Sequence, residues 1–360
     1  DTLAAMNQSN TWTITQSNHG TLSATVPLAE NIEFEGIENL LGNQGIDLFT
    51  FGVNGDITGL IDGGTSATQN VTKDSLDLSA ITRNLTIELG AQHTAALNIV
   101  NVENIAAATG NQDNHVLIGA SDVAYRWKIT GQNEGVIERA VSPLLETSVS
   151  FSNFGDLRGG TNSDRFDVQG TVTKSIDGGN GIDLVDYSQR KENFVIVLGG
   201  SGGLGNTGIN GIEGVVGNSA SGNGFTSTIQ VNSGDNIWEI GASSSFGDGI
   251  NDGSITINNN KVSFENFTSL VGGSGADTFR YIENGQWIGN IDGGGGRNII
   301  DASLSVKDQQ FVVNGTALNS GTNLKNINQL IANANTNSSL ISTLQSNVWQ
   351  IDNQGDGHLN

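Results

Sequence analysis

Two six-residue stretches, Gly178-Gly179-Asn180-Gly181-Ile182-Asp183 and Gly272-Gly273-Ser274-Gly275-Ala276-Asp277, each hold three glycines and a closing aspartate. Such a turn can aim backbone carbonyls and a carboxylate at one hard cation, and calcium takes roughly 6–8 oxygens. One turn supplies half a cage, so two must stack. Gly42-Asn43-Gln44-Gly45-Ile46-Asp47 is one residue off the pattern, and Gly159-Gly160-Thr161-Asn162-Ser163-Asp164 lacks the middle glycine. The turns ending at Asp164 and Asp183 are close enough in sequence to stack. The partner of the Asp277 turn, Gly293–Asn298, carries Asn298 in place of the aspartate and brings Arg297 with it. In the first copy, Gly63-Gly64 is followed by no aspartate at the matching place. The candidate calcium ligands are Asp164, Asp183, Asp277 and Asp47.

Other catalytic chemistry finds little support. His19, His93, His115 and His358 are scattered, with no His-x-x-x-His pair and no Gly-x-Ser-x-Gly elbow. The recurring aspartates lie in turns that recur with them, which marks scaffold and predicts that the chain is not an enzyme. The runner-up is a polysaccharide lyase or epimerase, which would need one non-repeating cluster of Asp, Arg and Lys. Residues 126–174 hold Arg126, Lys128, Arg139, Arg158, Arg165 and Lys174, the most basic region. Trp12, Trp127, Trp238 and Trp349 recur at steps of 115, 111 and 111, too sparse for a sugar track, and are expected as core anchors. Trp287 stands outside that register and is expected at the surface.

The elements that must position these turns repeat on the same period. Phe34, Phe151 and Phe264 each open a run with apolar residues three apart, then a Gly-rich turn, then Asp-x-Phe. Ile-Asp-Gly-Gly follows at 61, 176 and 291, and Asp-x-Ser at 77, 186 and 301. Leu85-Thr-Ile87-Glu-Leu89 and Phe194-Val-Ile196-Val-Leu198 alternate as strands with one buried face. Each Trp-x-Ile is followed by Asn18-His-Gly20, Asn133-Glu-Gly135 or Asn353-Gln-Gly355 in three of its four copies. The organisation is therefore 1–11 as the end of a preceding repeat, modules at 12–126, 127–237 and 238–348, and 349–360 as the start of a fourth. Such a chain is expected to continue, or to stack end to end with its own kind.

Glycine pairs 19 to 21 residues apart within a module predict short coils. The expected fold class is all-β, a parallel β-solenoid of β-helix or β-roll type with coils of about 20 residues. Tandem β-sandwich modules are the alternative.

Fifty glycines and two prolines in a chain rich in Asn, Ser and Thr fit a turn-rich β protein. The net charge of -22 disfavours nucleic acid and anionic membranes as partners. No cysteine is present, so disulfides and thiolate metal sites are excluded. No stretch reaches membrane-helix length. Taken together, Trp-x-Ile, Phe-x-x-Phe-x-x-Leu-x-Gly-Gly, Asp-x-Phe, Ile-Asp-Gly-Gly and Asp-x-Ser resemble the repeat regions of large exported bacterial proteins. Those regions are of the hemolysin-type calcium-binding, filamentous-hemagglutinin-like or giant-adhesin kind. The resemblance implies a secreted, cell-surface structural protein, an adhesin or a filament or surface-layer component. It also implies calcium at Asp164, Asp183 and Asp277, and surface glycans or a cell-surface receptor as partners. A passive calcium-stabilised spacer is a further reading. The chain departs from tandem calcium arrays because its turns come singly, about one per coil.

Overall fold

The computed structural model describes residues 1–24, 31–64, 73–90, 97–139, 148–199, 207–218, 224–241, 250–257, 259–313, 321–342, 349–353 and 356–359. It is all-β with long parallel sheets. Among the described residues the helical content is one 3-10 segment, Thr109–Asn114. The chain divides into two units, 1–190 with 201–212, and 191–200 with 213–360.

In the first unit the chain passes repeatedly from one sheet to the other. Strands Asn39–Leu41, Leu60–Asp62, His115–Ile118, Asp156–Gly160 and Ser175–Gly179 belong to the first sheet. Asp47–Phe51, Ser75–Leu78, Asn104–Ala107, Arg165–Val168 and Leu184–Asp186 belong to the second. Neighbours pair in parallel and in register, so Leu117, Leu157 and Ile176 form one column. Trp127, Phe166 and Val185 form another, as do Trp12, Phe49 and Leu76. All nine of these side chains are essentially fully buried. The columns exist because alternate residues of a strand share a face, and each strand offers its apolar set to the same interior. The parallel ladder crosses the module boundary: Leu117 pairs with Leu157, and Ile105 with Phe151.

The second unit is built alike. Ser227–Val231, Ser269–Val271 and Gly289–Asp292 are successive parallel strands of one sheet. Ile237–Ile240, Thr278–Glu283, Ile299–Ser305 and Gln329–Ile331 are successive strands of the other. Trp238, Phe279 and Ile300 form its buried column.

The coil of about 20 residues holds only after the Gly turns. Leu157 to Ile176, Phe166 to Val185, Leu40 to Ile61 and Leu270 to Ile291 step by 19 to 21. Elsewhere the spacing departs from 20 in both directions, 10 for Ile87 and Leu97, 27 for Phe49 and Leu76 and 39 for Trp127 and Phe166. Two features break the period. The tryptophan strand doubles back as a three-stranded antiparallel meander: Tyr125–Gly131, Glu134–Arg139, Val149–Ser152. The set Asn10–Gln16, His19–Ala24, Ile32–Glu35 repeats it, as does Ile237–Ile240, Gly253–Ile257, Asn260–Glu265. The second feature is a strand exchange. Leu97–Val100 sits between Leu60–Asp62 and Leu85–Leu89, although it follows both in sequence. Thr322–Lys325 does the same between Gly289–Asp292 and Gln310–Val313.

One asparagine ties each meander to its neighbouring strand. Asn18, Asn133 and Asn251 all have positive φ (53°, 56° and 56°), a conformation asparagine tolerates well. The Asn133 carboxamide donates to Thr173 Oγ1 and accepts from the Thr173 amide, both at 2.9 Å. Asn18 does the same with Thr58, at 2.9 and 3.0 Å. Asn251 donates to the Ile288 carbonyl at 2.9 Å and accepts from its amide at 2.6 Å. Asn251-Asp252-Gly253 is thus the third copy of the Asn-x-Gly motif, displaced from Trp238 by a longer connection. The pairing of Trp349–Asn353 with Asp356–Leu359 is antiparallel.

Candidate functional site: the aspartate turns

Asp47, Asp164, Asp183 and Asp277 are all buried, at most 2% exposed. Each closes a turn between the two sheets and caps a backbone N–H of the adjacent strand. The Asp164 amide donates to Asp183 Oδ1 at 2.6 Å, and the Tyr125 amide to Asp164 Oδ1 at 2.6 Å. The expected stacking of the 164 and 183 turns is therefore present. The Asn236 amide and its Nδ2 both donate to Asp277 Oδ1, at 3.0 and 2.8 Å. Asn10 Nδ2 donates to Asp47 Oδ1 at 2.7 Å, and Trp12 Nε1 to the same atom at 3.4 Å.

The ladder reaches further than the turn pattern predicts. The Asp47 amide donates to Asp74 Oδ1 and the Asp74 amide to Glu103 Oε2, each at 2.7 Å. An aspartate does follow Gly63-Gly64 in function, Asp74, eleven residues after Gly63 where the other turns have five. In the second unit the rungs turn neutral. The Asp277 amide donates to Asn298 Oδ1 at 2.9 Å and the Asn298 amide to Asn328 Oδ1 at 2.7 Å. A carboxylate and a carboxamide serve alike because the rung needs only one acceptor oxygen.

The other carboxylate oxygen decides the electrostatics. Oδ2 of Asp47, Asp164 and Asp277 is buried without a hydrogen-bond donor. Burial therefore dominates, pushing Asp164 and Asp74 up to about 7 and Asp47 and Asp277 up to about 6. A β-carbon on the first glycine of the turn would meet that oxygen: 2.5 Å at Gly159, 2.6 Å at Gly42 and 2.5 Å at Gly272. The first glycine is thus required by close approach, and the second, as at Gly179 (φ 93°) and Gly273 (φ 100°), by its conformation. Gly159→Ala would put its methyl 2.2 Å from the Gly178 carbonyl oxygen as well. It should lower stability by about 2–3 kcal/mol in urea unfolding, and a loss under 0.5 kcal/mol would refute the close-approach argument.

The donor set suits a hydrogen-bond ladder better than a calcium cage. At each rung Oδ1 already faces N–H donors, which a cation at that oxygen would have to displace. The turns of Asp47, Asp164 and Asp277 each leave one carboxylate oxygen unbonded among the described residues, so most of calcium's roughly 6–8 ligands would have to be turn carbonyls. Among the described residues no group of three or more His, Asp or Glu side chains is arranged to hold a metal ion.

The tryptophans occupy the core, as expected of anchors. Trp12, Trp127 and Trp238 are fully buried, each stacked on a phenylalanine at 5.3–5.5 Å (Phe49, Phe166, Phe279) and edge-on to another. The side chain of Trp349 lies outside the described residues. Trp287 is not the surface residue its spacing suggested. The Gln286 carbonyl accepts the Asn251 amide as Asp56 and Thr171 do for Asn18 and Asn133. Trp287 therefore matches Ile57 and Val172, all at most 3% exposed. It also lines a cavity of about 240 Å³ with Gln286, Asp308, Gln309 and Asn337.

The histidines do not converge. His19 lies at the meander edge beside Glu33 (3.4 Å). His115 is buried against Phe154, and burial lowers its pKa against the opposing pull of a backbone hydrogen bond at Ala108. His93 and the side chain of His358 lie outside the described residues. One non-repeating charged group stands out. Asp156 is 2% exposed and takes Arg158 as a bidentate partner (3.2 and 3.1 Å) and Lys174 Nζ at 3.0 Å. Burial raises its pKa, but the two cations outweigh that and hold it below the ordinary value. The matching residues are Asn39, Leu41 and Gly59 in the first module and Ser269, Val271 and Gly289 in the third. Position in the chain gave no sign of this cluster beyond the basic bias of its module.

Compared with protein-family models and with curated proteins, the chain matches none of either.

Proposed function

We propose that this chain is a structural β-solenoid of the bacterial cell surface, an adhesin or a filament or surface-layer component. The observation that carries the proposal is the threefold return of one buried set: the Trp on its Phe, the Asp rung behind a Gly turn, and the Asn clamp on the meander. A catalytic centre needs one place unlike the rest, whereas this design spends its buried polar groups on joining neighbouring strands. Alternation between two parallel sheets is how a solenoid coil advances. The chain's acidity, its lack of cysteine and the motifs it shares with exported repeat proteins support an extracellular place. Further modules or a second copy, and surface glycans or a receptor, are the partners this reading calls for.

Deleting residues 127–237, which joins Arg126 to Trp238 at matching strand positions, tests the architecture. A solenoid should keep a cooperative melt and lose length in small-angle scattering; an unfolded or aggregated product counts against it. Labelling intact cells of the native host with an antibody tests location. Calcium, which the resemblance implies, is tested by melting with and without chelator. An unchanged midpoint is expected if the rungs are held by hydrogen bonds alone.

A second reading, a lyase or epimerase acting on an acidic polysaccharide, is favoured by the Asp156–Arg158–Lys174 cluster alone. Ultraviolet-absorbing unsaturated product from a polyuronate, lost in Lys174→Met, would establish it.

A further inference from the structure

The turn Gly293–Asn298 differs from its siblings in two ways, and both favour a negative ligand. The first concerns the fifth residue of each turn, whose N–H is normally satisfied from within. Ile46 donates to Ser9 Oγ and Ile182 to Ser163 Oγ, both at 3.0 Å. Ala276 donates to the carboxylate Oδ1 of Asp235 at 2.7 Å. In every case the acceptor precedes the rung residue of the neighbouring turn: Ser9 before Asn10, Ser163 before Asp164, Asp235 before Asn236. For Arg297 that place is held by Ala276, which has no acceptor. Among the described residues neither the Arg297 nor the Gly296 amide has a partner.

The backbone hand is one the turn shares with its siblings, where Asn43 and Gly45 (φ 66° and 131°) and Gly179 and Gly181 (φ 93° and 131°) alternate in the same way. Gly294 and Gly296 both have φ of 74°, whereas Gly293 and Gly295 do not lie in the left-handed region. Such alternation turns successive N–H groups toward one concave side, a shape that suits anions. The Gly294 and Gly295 amides are taken, by Asp292 Oδ1 and the Gly273 carbonyl. Those of Gly296 and Arg297 remain, on exposed residues. The second difference is charge. Asn298 stands where the other turns carry aspartate, and Arg297 is an exposed cation with no ion pair among the described residues. The adjacent Asp292 carboxylate is already matched by Lys325 and Asn326, both at 2.7 Å. The Ser163 amide also lacks an acceptor, but its turn ends in Asp164 and carries no cation at that place.

We propose that the Gly296–Arg297 amides and the Arg297 guanidinium form a binding site for a carboxylate anion. The sister turn displays the ligand class: Asp235 already places a carboxylate oxygen on the equivalent Ala276 amide. This goes beyond the scaffold reading and does not depend on it. A surface repeat with such a site could hold an acidic sugar or an acidic side chain, and the two share the chemistry.

The test is an amide-resolved NMR titration of the full chain with sodium acetate at constant ionic strength, with sodium chloride as the control. Saturable shifts are expected at Gly296 and Arg297, with affinity in the millimolar range. Arg297→Gln should weaken binding roughly tenfold by removing the charge-assisted bond. Ala276→Asp supplies the internal carboxylate that the sister turn has, so it should shift the same two amides without ligand and abolish the titration. Glucuronate binding more tightly than acetate, with glucose inert, assigns the site to an acidic sugar; equal binding assigns it to a lone carboxylate. Shifts that sodium chloride reproduces, or an Ala276→Asp variant with a wild-type spectrum elsewhere that still titrates, would overturn the proposal.

Discussion

Moving from pH 8 to pH 5 should stabilise the fold by several kcal/mol, the reverse of what surface carboxylates do. Burial raises Asp164 and Asp74 to about 7 and Asp47 and Asp277 to about 6 in the folded chain. Unfolded aspartate ionises near 4. Between those values the unfolded chain has lost a proton that the folded chain keeps, so stability falls as pH rises through the folded values. For Asp164 alone the shift corresponds to roughly 4 kcal/mol at pH 8. The contributions do not add, because Asp47, Asp74 and Glu103 sit on consecutive rungs and the outer two raise Asp74. Two opposing effects bound the optimum. His115, whose pKa burial lowers, costs stability as pH falls below about 6.5. Asp156, Asp292 and Asp301 are held below the ordinary value and cost stability below about 4. The maximum should therefore fall between about pH 4 and 6. Asp164→Asn isolates the rung. Asn298 shows the carboxamide fits, since its Nδ2 donates to the Gly295 and Asn326 carbonyls, both at 2.9 Å. The variant should gain about 4 kcal/mol over the parent at pH 8 and only about 1 kcal/mol at pH 5, read by urea unfolding in chelator. Equal effects at both values would mean that the buried oxygen carries no charge penalty.

Local features were legible and topological ones were not. The turn glycines could be read because each meets a local demand, a close carboxylate at Gly159 or a left-handed backbone at Gly179. Phe49, Phe166 and Phe279 could be read because alternation fixes which face a strand residue joins. The meander has a local signature in the sequence. Asn18-His-Gly20 and Asn133-Glu-Gly135 are hairpin signals as well as markers of the repeat, with the asparagine in a left-handed conformation. The third copy, at Asn251, escaped because its distance from Trp238 differs. Asp74 escaped for the same reason, since a longer connection moved it away from Gly63-Gly64. Trp287 lies four residues before its Ile-Asp-Gly-Gly, as Ile57 and Val172 do, a register that the spacing of the other tryptophans does not show. The exchange of Leu85–Leu89 with Leu97–Val100 had no signal at all. Both strands are apolar on the inner face, and nothing in either sequence chooses its neighbour.

Trp127→Ala should cost about 4 kcal/mol, the largest loss expected from any single side chain in the first unit. Trp127 is fully buried, stacked on Phe166 at 5.3 Å and 21°, with Phe151 and Tyr125 edge-on at 6.1 and 6.4 Å. Its strand holds the meander to the parallel stack, pairing Glu134–Arg139 on one side and Arg165–Val168 on the other. A void there would loosen both contacts at once. Trp127 Nε1 has no hydrogen-bond partner, so the loss would come from packing and not from a broken bond. Trp127→Phe separates the two terms. It keeps a ring on Phe166 and removes an unbonded buried N–H, so it should cost only about 1–2 kcal/mol. At Trp12, where Nε1 makes a 3.4 Å bond to Asp47, the same change should cost slightly more and should raise the acid stabilisation by leaving that carboxylate with one donor fewer. Urea unfolding of the three variants followed by far-ultraviolet circular dichroism would decide. A Trp127→Ala loss below about 1 kcal/mol would mean that the column does not carry the stack.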